Sequence, residues 1–154
     1  MNIDTPSLRS LDARLEERAE CLSEGARELP TLSPQQREHL RTLVLSFLRH
    51  DVGDHMRADQ RLLYPKIAER LGDPLAAAPM NYDHRAIRWW TDEIARADIT
   101  DTSELQRLLY GVHALIKVHL SREEDLYVGA LESAAWPADG CADVAARRNG
   151  HGDD

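Results

Sequence analysis

Two histidine–carboxylate pairs have the residue types and spacing of metal ligands on helices. His55 is followed four residues later by Asp59, and His119 is followed four residues later by Glu123. Residues four apart on an α-helix differ by roughly 40° about the helix axis, so each pair shares one face. Imidazole nitrogens combined with carboxylate oxygens suit iron, manganese or zinc. The two pairs therefore predict metal ligands carried by helices.

The apolar residues around these pairs predict that both pairs face a core. Each pair interrupts an apolar stripe that repeats at helical spacing. A buried carboxylate without a partner costs several kcal/mol even after relaxation, so these carboxylates need mutual pairing or a bound cation. The predicted core stripes are Leu40, Val44, Leu48, Val52, His55, Asp59 and Leu62 on one helix, and Leu105, Leu108, Val112, Leu115, His119, Glu123, Leu126 and Ala130 on another.

A third stripe adds one more imidazole. His84 shares a helix face with Ile87, Thr91 and Ile94. A single histidine–carboxylate pair is common on solvated helices. Two pairs in matching phase, together with His84, favour one buried metal site.

Other polar side chains are predicted to lie beside this site. His50 and His113 fall about 140° and about 120° around their helices from His55 and His119, which places them at seams between helices. They are either hydrogen-bonded seam histidines or ligands of a second metal or a haem. The remaining candidates that approach the site are Tyr64, Tyr110, Glu124 and Tyr127.

Apolar periodicity predicts four helices that position these side chains. They cover about residues 7–24, 34–64, 81–97 and 102–134, and the second has a short continuation to 71. Gly25 is expected to help end the first helix, Gly53 to mark a kink or bulge, and Pro65 to bend or end the second helix. We predict an all-α, antiparallel up-down four-helix bundle over residues 1–134 and a flexible, disordered polar tail over 135–154.

Two short motifs predict where helices begin. Ser33 precedes Pro34, which is the arrangement of an N-cap followed by proline at the first helical position. Asp101 stands three residues before Glu104, the spacing of a capping box.

Composition narrows the class of protein. The chain has 154 residues, a formal net charge of -8 and no concentrated basic face, which argues against nucleic-acid binding. Neither a long apolar run nor a signal-peptide pattern is present, so we expect a cytoplasmic protein without a membrane span. Cys21 and Cys141 form no CxxC pair, which argues against a thiolate zinc site or a redox motif.

Three motifs together resemble the hemerythrin-like, or HHE, domain family: HMRADQRLLYP, NYDHRAI and HLSREEDLY. The resemblance extends to about residue 131. It implies an antiparallel four-helix bundle around a non-heme di-iron centre. It also implies that His55, His84 and His119 are terminal ligands and that Asp59 and Glu123 bridge the two irons.

The sequence departs from that family pattern at the first helix, which has no histidine. Its inward positions are Leu, Ala and Ser, with Asp12 and Glu16 nearby. The third helix has a single histidine, and Asp59 stands where a longer glutamate is usual. A mononuclear metal, a loosely held second metal or a different cofactor therefore stay open beside the di-iron centre.

The resemblance implies a protein that binds or reduces a small ligand such as oxygen, peroxide or nitric oxide. Peroxide or oxygen reduction would make it an enzyme. The first alternative is a metal- or redox-responsive sensor whose output is a protein interaction. The second is a haem-binding bundle that uses His50 and His113. The third is a scaffold in which the buried pairs hydrogen-bond one another without metal.

Overall fold

The computed structural model describes the backbone of residues 5–132 and the side chains of 9–129 and 131, and this part of the chain is four helices without strands. Helix α1 is Thr5–Glu28, and a short 3-10 turn, Leu29–Thr31, follows it. Helix α2 covers residues 34–71, α3 is Ala78–Arg96, and α4 covers residues 102–132. The tail predicted over residues 135–154 and Cys141 lie outside the described residues.

Both predicted N-caps are confirmed, but the capping box expected from Asp101 and Glu104 is only half formed, since the Glu104 side chain binds Arg107 instead. Ser33 accepts a hydrogen bond from the Gln36 amide, and the Gln36 side chain accepts one from the Ser33 amide, which completes a capping box before α2. The Asp101 carboxylate accepts a hydrogen bond of 2.9 Å from the Glu104 amide at the start of α4. At the end of α2, Gly72 takes the left-handed conformation (φ 63°), which glycine adopts without steric cost.

Helix α1 is four residues longer at its C-terminal end than the sequence pattern predicted. Gly25 does not end it, because the helix continues to Glu28. Gly25 is buried, and a side chain there would press on Leu40 of α2. The glycine therefore serves close packing between α1 and α2.

Helices α2 and α4 contain π-helical segments, in which the backbone winds more widely than in an α-helix. In α2 the segments are Phe47–Val52 and Asp59–Leu63, and in α4 the segment is Glu123–Val128. The first ends directly before Gly53, where a kink or bulge was predicted. The second precedes Pro65, and the helix runs on to Leu71 because the irregular turn accommodates a residue that cannot donate the helical hydrogen bond.

The π segments correct two residues of the predicted core stripes. A π segment adds one residue to a helix and rotates the residues after it. Leu62 and Leu126 are therefore 40% and 58% exposed, and the adjacent Leu63 and Tyr127 are buried instead. The ligand pairs keep their predicted phase because each π segment begins at the carboxylate residue itself.

Polar contacts between adjacent helices connect the N-terminal part of one helix to the C-terminal part of its neighbour. Between α1 and α4, Arg9 binds Glu124 and the Gln106 side chain donates to the Ala26 carbonyl. Between α2 and α3, the Gln60 side chain donates to Asn81, and Arg41 donates to the Ala97 carbonyl. A bundle with short connections explains this order.

The helices bury a core that runs along the bundle and surrounds the polar site. Its larger part consists mostly of aliphatic residues, together with Phe47 and Met56, and draws on all four helices. A smaller cluster consists of Leu63, Tyr64, Ile67, Ala77, Met80 and Tyr127. Trp90 of α3 packs against Gly111 of α4 so closely that a Cβ at 111 would overlap the indole. No helix of the described chain is long and apolar enough to cross a bilayer.

Candidate metal centre

Two helices bring four of the predicted ligands together. One ligand atom from each of His55, Asp59, His119 and Glu123 lies within 4.8 Å of the others. Asp59, His119 and Glu123 are each 1% exposed, so three of the four are cut off from water. The His-x-x-x-carboxylate spacing places each pair on one face because the helix between histidine and carboxylate is regular and the π segment begins only at the carboxylate.

The two carboxylates lie between the histidines. Asp59 Oδ2 is 3.2 Å from His55 Nε2 and 3.6 Å from His84 Nε2. Glu123 Oε2 is 3.4 Å from His55 Nε2 and 3.4 Å from His119 Nε2. Each carboxylate oxygen thus faces His55 on one side and a second histidine on the other, which is the position of a group that could bridge two cations.

The third helix adds His84 on the side away from α1. His84 is fully buried, and its Nε2 is 3.1 Å from His119 Nε2. The Tyr64 hydroxyl is 2.9 Å from the same His84 nitrogen. All five predicted ligands therefore meet in one place, and Tyr64 joins them from α2.

Two further carboxylates lie on the Nδ1 side of His55 and His119. Asp12 Oδ1 is 3.5 Å from His55 Nδ1, and Asp83 Oδ2 is 3.7 Å from His119 Nδ1. Arg122 holds Asp83 through Nη1, at 3.0 and 3.3 Å from its two oxygens. Carboxylates in this position orient a metal-binding imidazole and raise its basicity. Asp12 was predicted to lie near the site, whereas Asp83 was not predicted; its position directly before His84 was the available signal.

Burial is the largest single influence on the pKa values of the cluster. Burial raises the pKa of Asp59 above its ordinary range and lowers the pKa of His119, while it lowers that of His84 to about 3. Burial also opposes protonation of His55, but the nearby Glu123 carboxylate, which can accept a hydrogen bond from the protonated imidazole, and the charges of Asp59, Glu123 and Asp12 outweigh it and raise the pKa to about 9. Without a cation the site holds protons on some groups and excludes them from others.

The donor atoms of this cluster fit a metal ion. Buried polar atoms normally have hydrogen-bond partners. Here His55 Nε2, Asp59 Oδ2 and Glu123 Oε2 have none, and all three point into the cluster. Imidazole nitrogens and carboxylate oxygens that converge without donors of their own are the ligand set of a transition-metal ion.

A cavity leads from the surface to the α1 side of the cluster. It has a volume of about 460 Å³ and lies between α1 and α2. Its inner wall includes Asp12, His55 and Asp59, and Leu11, Leu15 and Ala58 form apolar parts of its walls. The described structure therefore gives a small molecule access to the His55 side of the site.

The other candidate residues take different positions. His113 Nε2 lies 3.2 Å from Glu20 at the seam with α1, and His50 is exposed. Among the described residues, the cluster of candidate metal ligands includes neither, and the haem-binding alternative stays a prediction. Glu124 binds Arg9, Tyr110 is 43% exposed, and the Tyr127 hydroxyl donates to the Ala76 carbonyl.

Comparison with protein families tests the resemblance to the hemerythrin-like family that the three motifs suggested. The model of the hemerythrin HHE cation-binding domain matches residues 9–131. The chain belongs to this family. The matched range of the hemerythrin HHE domain contains Asp12, His55, Asp59, His84, His119 and Glu123, and a cation-binding domain agrees with the donor set found in the core. No curated protein and no solved structure matches the chain at a significant level.

Proposed function

We propose that this hemerythrin HHE domain is a non-heme iron protein that binds or reduces oxygen, peroxide or nitric oxide at a di-iron centre. The observation that carries the proposal is the buried convergence of His55, Asp59, His119 and Glu123, with His84 beside them. In this cluster His55 Nε2, Asp59 Oδ2 and Glu123 Oε2 have no hydrogen-bond partner. We also infer the antiparallel up-down order of the helices, which the contacts between helix beginnings and ends support.

Placement of the carboxylates favours two metal positions over one. Asp59 and Glu123 each face His55 on one side and the His84–His119 pair on the other. In the proposed centre, His84 and His119 would hold one iron, His55 would hold the other, and Asp59 and Glu123 would supply carboxylate oxygens to both. Bound iron supplies open coordination positions and a change of oxidation state.

The protein's own residues make the two positions unequal. His84 and His119 lie in the closed part of the core, whereas His55 and Asp59 border the cavity between α1 and α2. An incoming ligand would therefore reach the His55 side first. The cavity wall has both apolar and charged residues, and the Asp12 carboxyl, whose pKa burial raises to about 6, lies in its inner part beside His55.

The reactivity is tested with iron-loaded protein mixed with peroxide, oxygen or nitric oxide in a stopped-flow spectrometer. We expect a ligand-dependent change in the iron absorption, with saturation or turnover. Leu15→Trp would fill the cavity and slow that change without lowering iron content, and Leu43→Trp at an exposed site on α2 is the control. Iron-loaded protein that responds to none of these ligands would overturn the proposed reactivity.

A sensor is the second candidate, and the partnerless carboxylates favour it. Burying Asp12, Asp59 and Glu123 without a cation destabilises the folded state, and a metal that binds only the folded state stabilises it by mass action. Metal occupancy would then control the stability of the bundle. A large rise in Tm on iron binding, with no turnover of peroxide, would favour this function over an enzyme.

A further inference from the structure

Tyr64 contributes an oxygen atom at the edge of the ligand cluster. Its hydroxyl is 2.9 Å from His84 Nε2, and that nitrogen is 3.1 Å from His119 Nε2. Two ligands at right angles on one metal, with bonds of about 2.1 Å, lie about 3 Å apart. The oxygen of Tyr64 thus has the separation from His84 that two ligands of one ion would have.

Metal binding at His84 removes the partner of this hydroxyl. Within the described chain, His84 Nε2 is the hydrogen-bond partner of Tyr64. A metal that takes the lone pair of this nitrogen leaves the phenol without an acceptor. Tyr64 is 4% exposed, so the phenol is largely shielded from bulk water. A buried hydroxyl left without a partner costs free energy, and coordination of the oxygen removes that cost.

We propose that Tyr64 is a metal ligand and binds as phenolate the same iron as His84 and His119. This inference rests on the proposed function and adds one residue to its centre. The phenolic O–H bond breaks as the oxygen–iron bond forms, the proton passes to the buffer, and no electron moves. Tyrosine oxygen is an established kind of ligand for iron in proteins.

Packing around Tyr64 fixes the direction of its hydroxyl. The ring stacks on His84 with centroids 5.5 Å apart and planes inclined by 28°. The Tyr127 ring lies near Tyr64, with 6.3 Å between the ring centroids. The Tyr127 hydroxyl donates its hydrogen bond to the Ala76 carbonyl. Tyr127 therefore has the same chemistry and a neighbouring position but does not present its oxygen to the cluster, which makes it the matched control.

The test uses the full chain loaded with iron(II) without oxygen and then oxidised with ferricyanide. Phenolate bound to iron(III) gives a charge-transfer band in the visible, and Raman scattering excited in that band shows tyrosine ring vibrations that shift with ring-deuterated tyrosine. We expect both signals in the parent and in Tyr127→Phe. Tyr64→Phe should lose both while iron per chain, measured on the same samples, stays within about twofold of the parent.

Two results would overturn the assignment. The first is fully iron-loaded parent protein without the phenolate signals, and the second is a Tyr64→Phe variant that keeps them. If Tyr64→Phe does not fold, the signals should survive in Tyr82→Phe, Tyr110→Phe and Tyr127→Phe, since the chain has four tyrosines; their loss in any of these three overturns it. If the parent takes up no iron, the proposed function itself is contradicted. That outcome differs from an iron-loaded parent without phenolate signals, which contradicts only the assignment of Tyr64.

Discussion

Asp59 and Glu123 lie at matching positions in the bundle: each is the first residue of a π-helical segment, and each places a carboxylate oxygen beside His55 Nε2, at 3.2 and 3.4 Å. The helix on the N-terminal side of each carboxylate is regular, so histidine and carboxylate share a face. On the C-terminal side the register shifts by one residue. The two halves of the site are therefore built by the same backbone device.

The register shift predicts unequal costs for neighbouring leucines. Leu63→Ala should lower the free energy of unfolding by about 2–5 kcal/mol, because Leu63 is fully buried. Leu62→Ala should change it by less than about 0.5 kcal/mol, because that side chain is 40% exposed. Urea unfolding of the two variants measures the difference. A larger loss for Leu62→Ala would show that α2 continues as a regular helix past Asp59.

The close contact with Trp90 predicts that residue 111 must be glycine. Gly111→Ala should destabilise the protein by about 1–3 kcal/mol, because the added methyl group overlaps the indole. Gly129→Ala is the matched control, since the nearest atom to its new Cβ is 3.9 Å away, and it should stabilise by about 0.4–1 kcal/mol. Thermal unfolding compares them, and equal Tm values for the two variants would refute the close packing of α3 on α4.

Asp83 is predicted to support metal binding without touching the metal. Asp83→Asn removes the charge that faces His119 Nδ1 and should weaken iron affinity roughly 10- to 100-fold. Asp92→Asn, at an exposed position of the same helix, should leave the affinity unchanged. Competition with a coloured chelator gives both affinities. If Asp83→Asn binds iron like Asp92→Asn, then Asp83 serves only its ion pair with Arg122.

The metal-free protein should lose stability as pH rises from about 6.5 to 9. In this range the folded state keeps a proton on His55, whose pKa is raised to about 9, and Asp59 also holds its proton well above its ordinary pKa. The unfolded chain has already lost both, so it binds fewer protons and stability falls with pH, by on the order of 1 kcal/mol per pH unit for each proton. His84 and His119 have lowered pKa values in the folded state, so near pH 6.5 the unfolded chain still binds protons there that the folded state does not, which opposes the trend. Above about pH 7.5 both histidines are neutral in both states and contribute nothing.

Urea midpoints of chelator-treated protein across that range check the sign. Iron-loaded protein is the control, because the metal replaces the protons and should flatten or reverse the trend. Stability that rises with pH in the metal-free protein would contradict the proton positions described for His55 and Asp59.

The parts of the fold that depend on local spacing were predictable from the sequence. The caps at Ser33 and Asp101 depend on contacts within one turn, and the ligand pairs depend on a spacing of four residues. The core positions Leu62 and Leu126 were predicted wrongly, because periodicity alone does not reveal an inserted residue within a helix. Asp83 was missed because its role depends on His119 and Arg122 of another helix, a contact that appears only when the helices pack.

The iron content of the purified protein shows whether the buried cluster is a di-iron site. The protein is prepared without chelators, reconstituted with iron(II), freed of unbound metal, and measured for iron per chain beside His119→Ala, which lacks one imidazole of the buried cluster. We expect two irons per chain in the parent and a marked loss in His119→Ala. Background iron in the reconstituted parent, or equal iron in parent and variant, would contradict it.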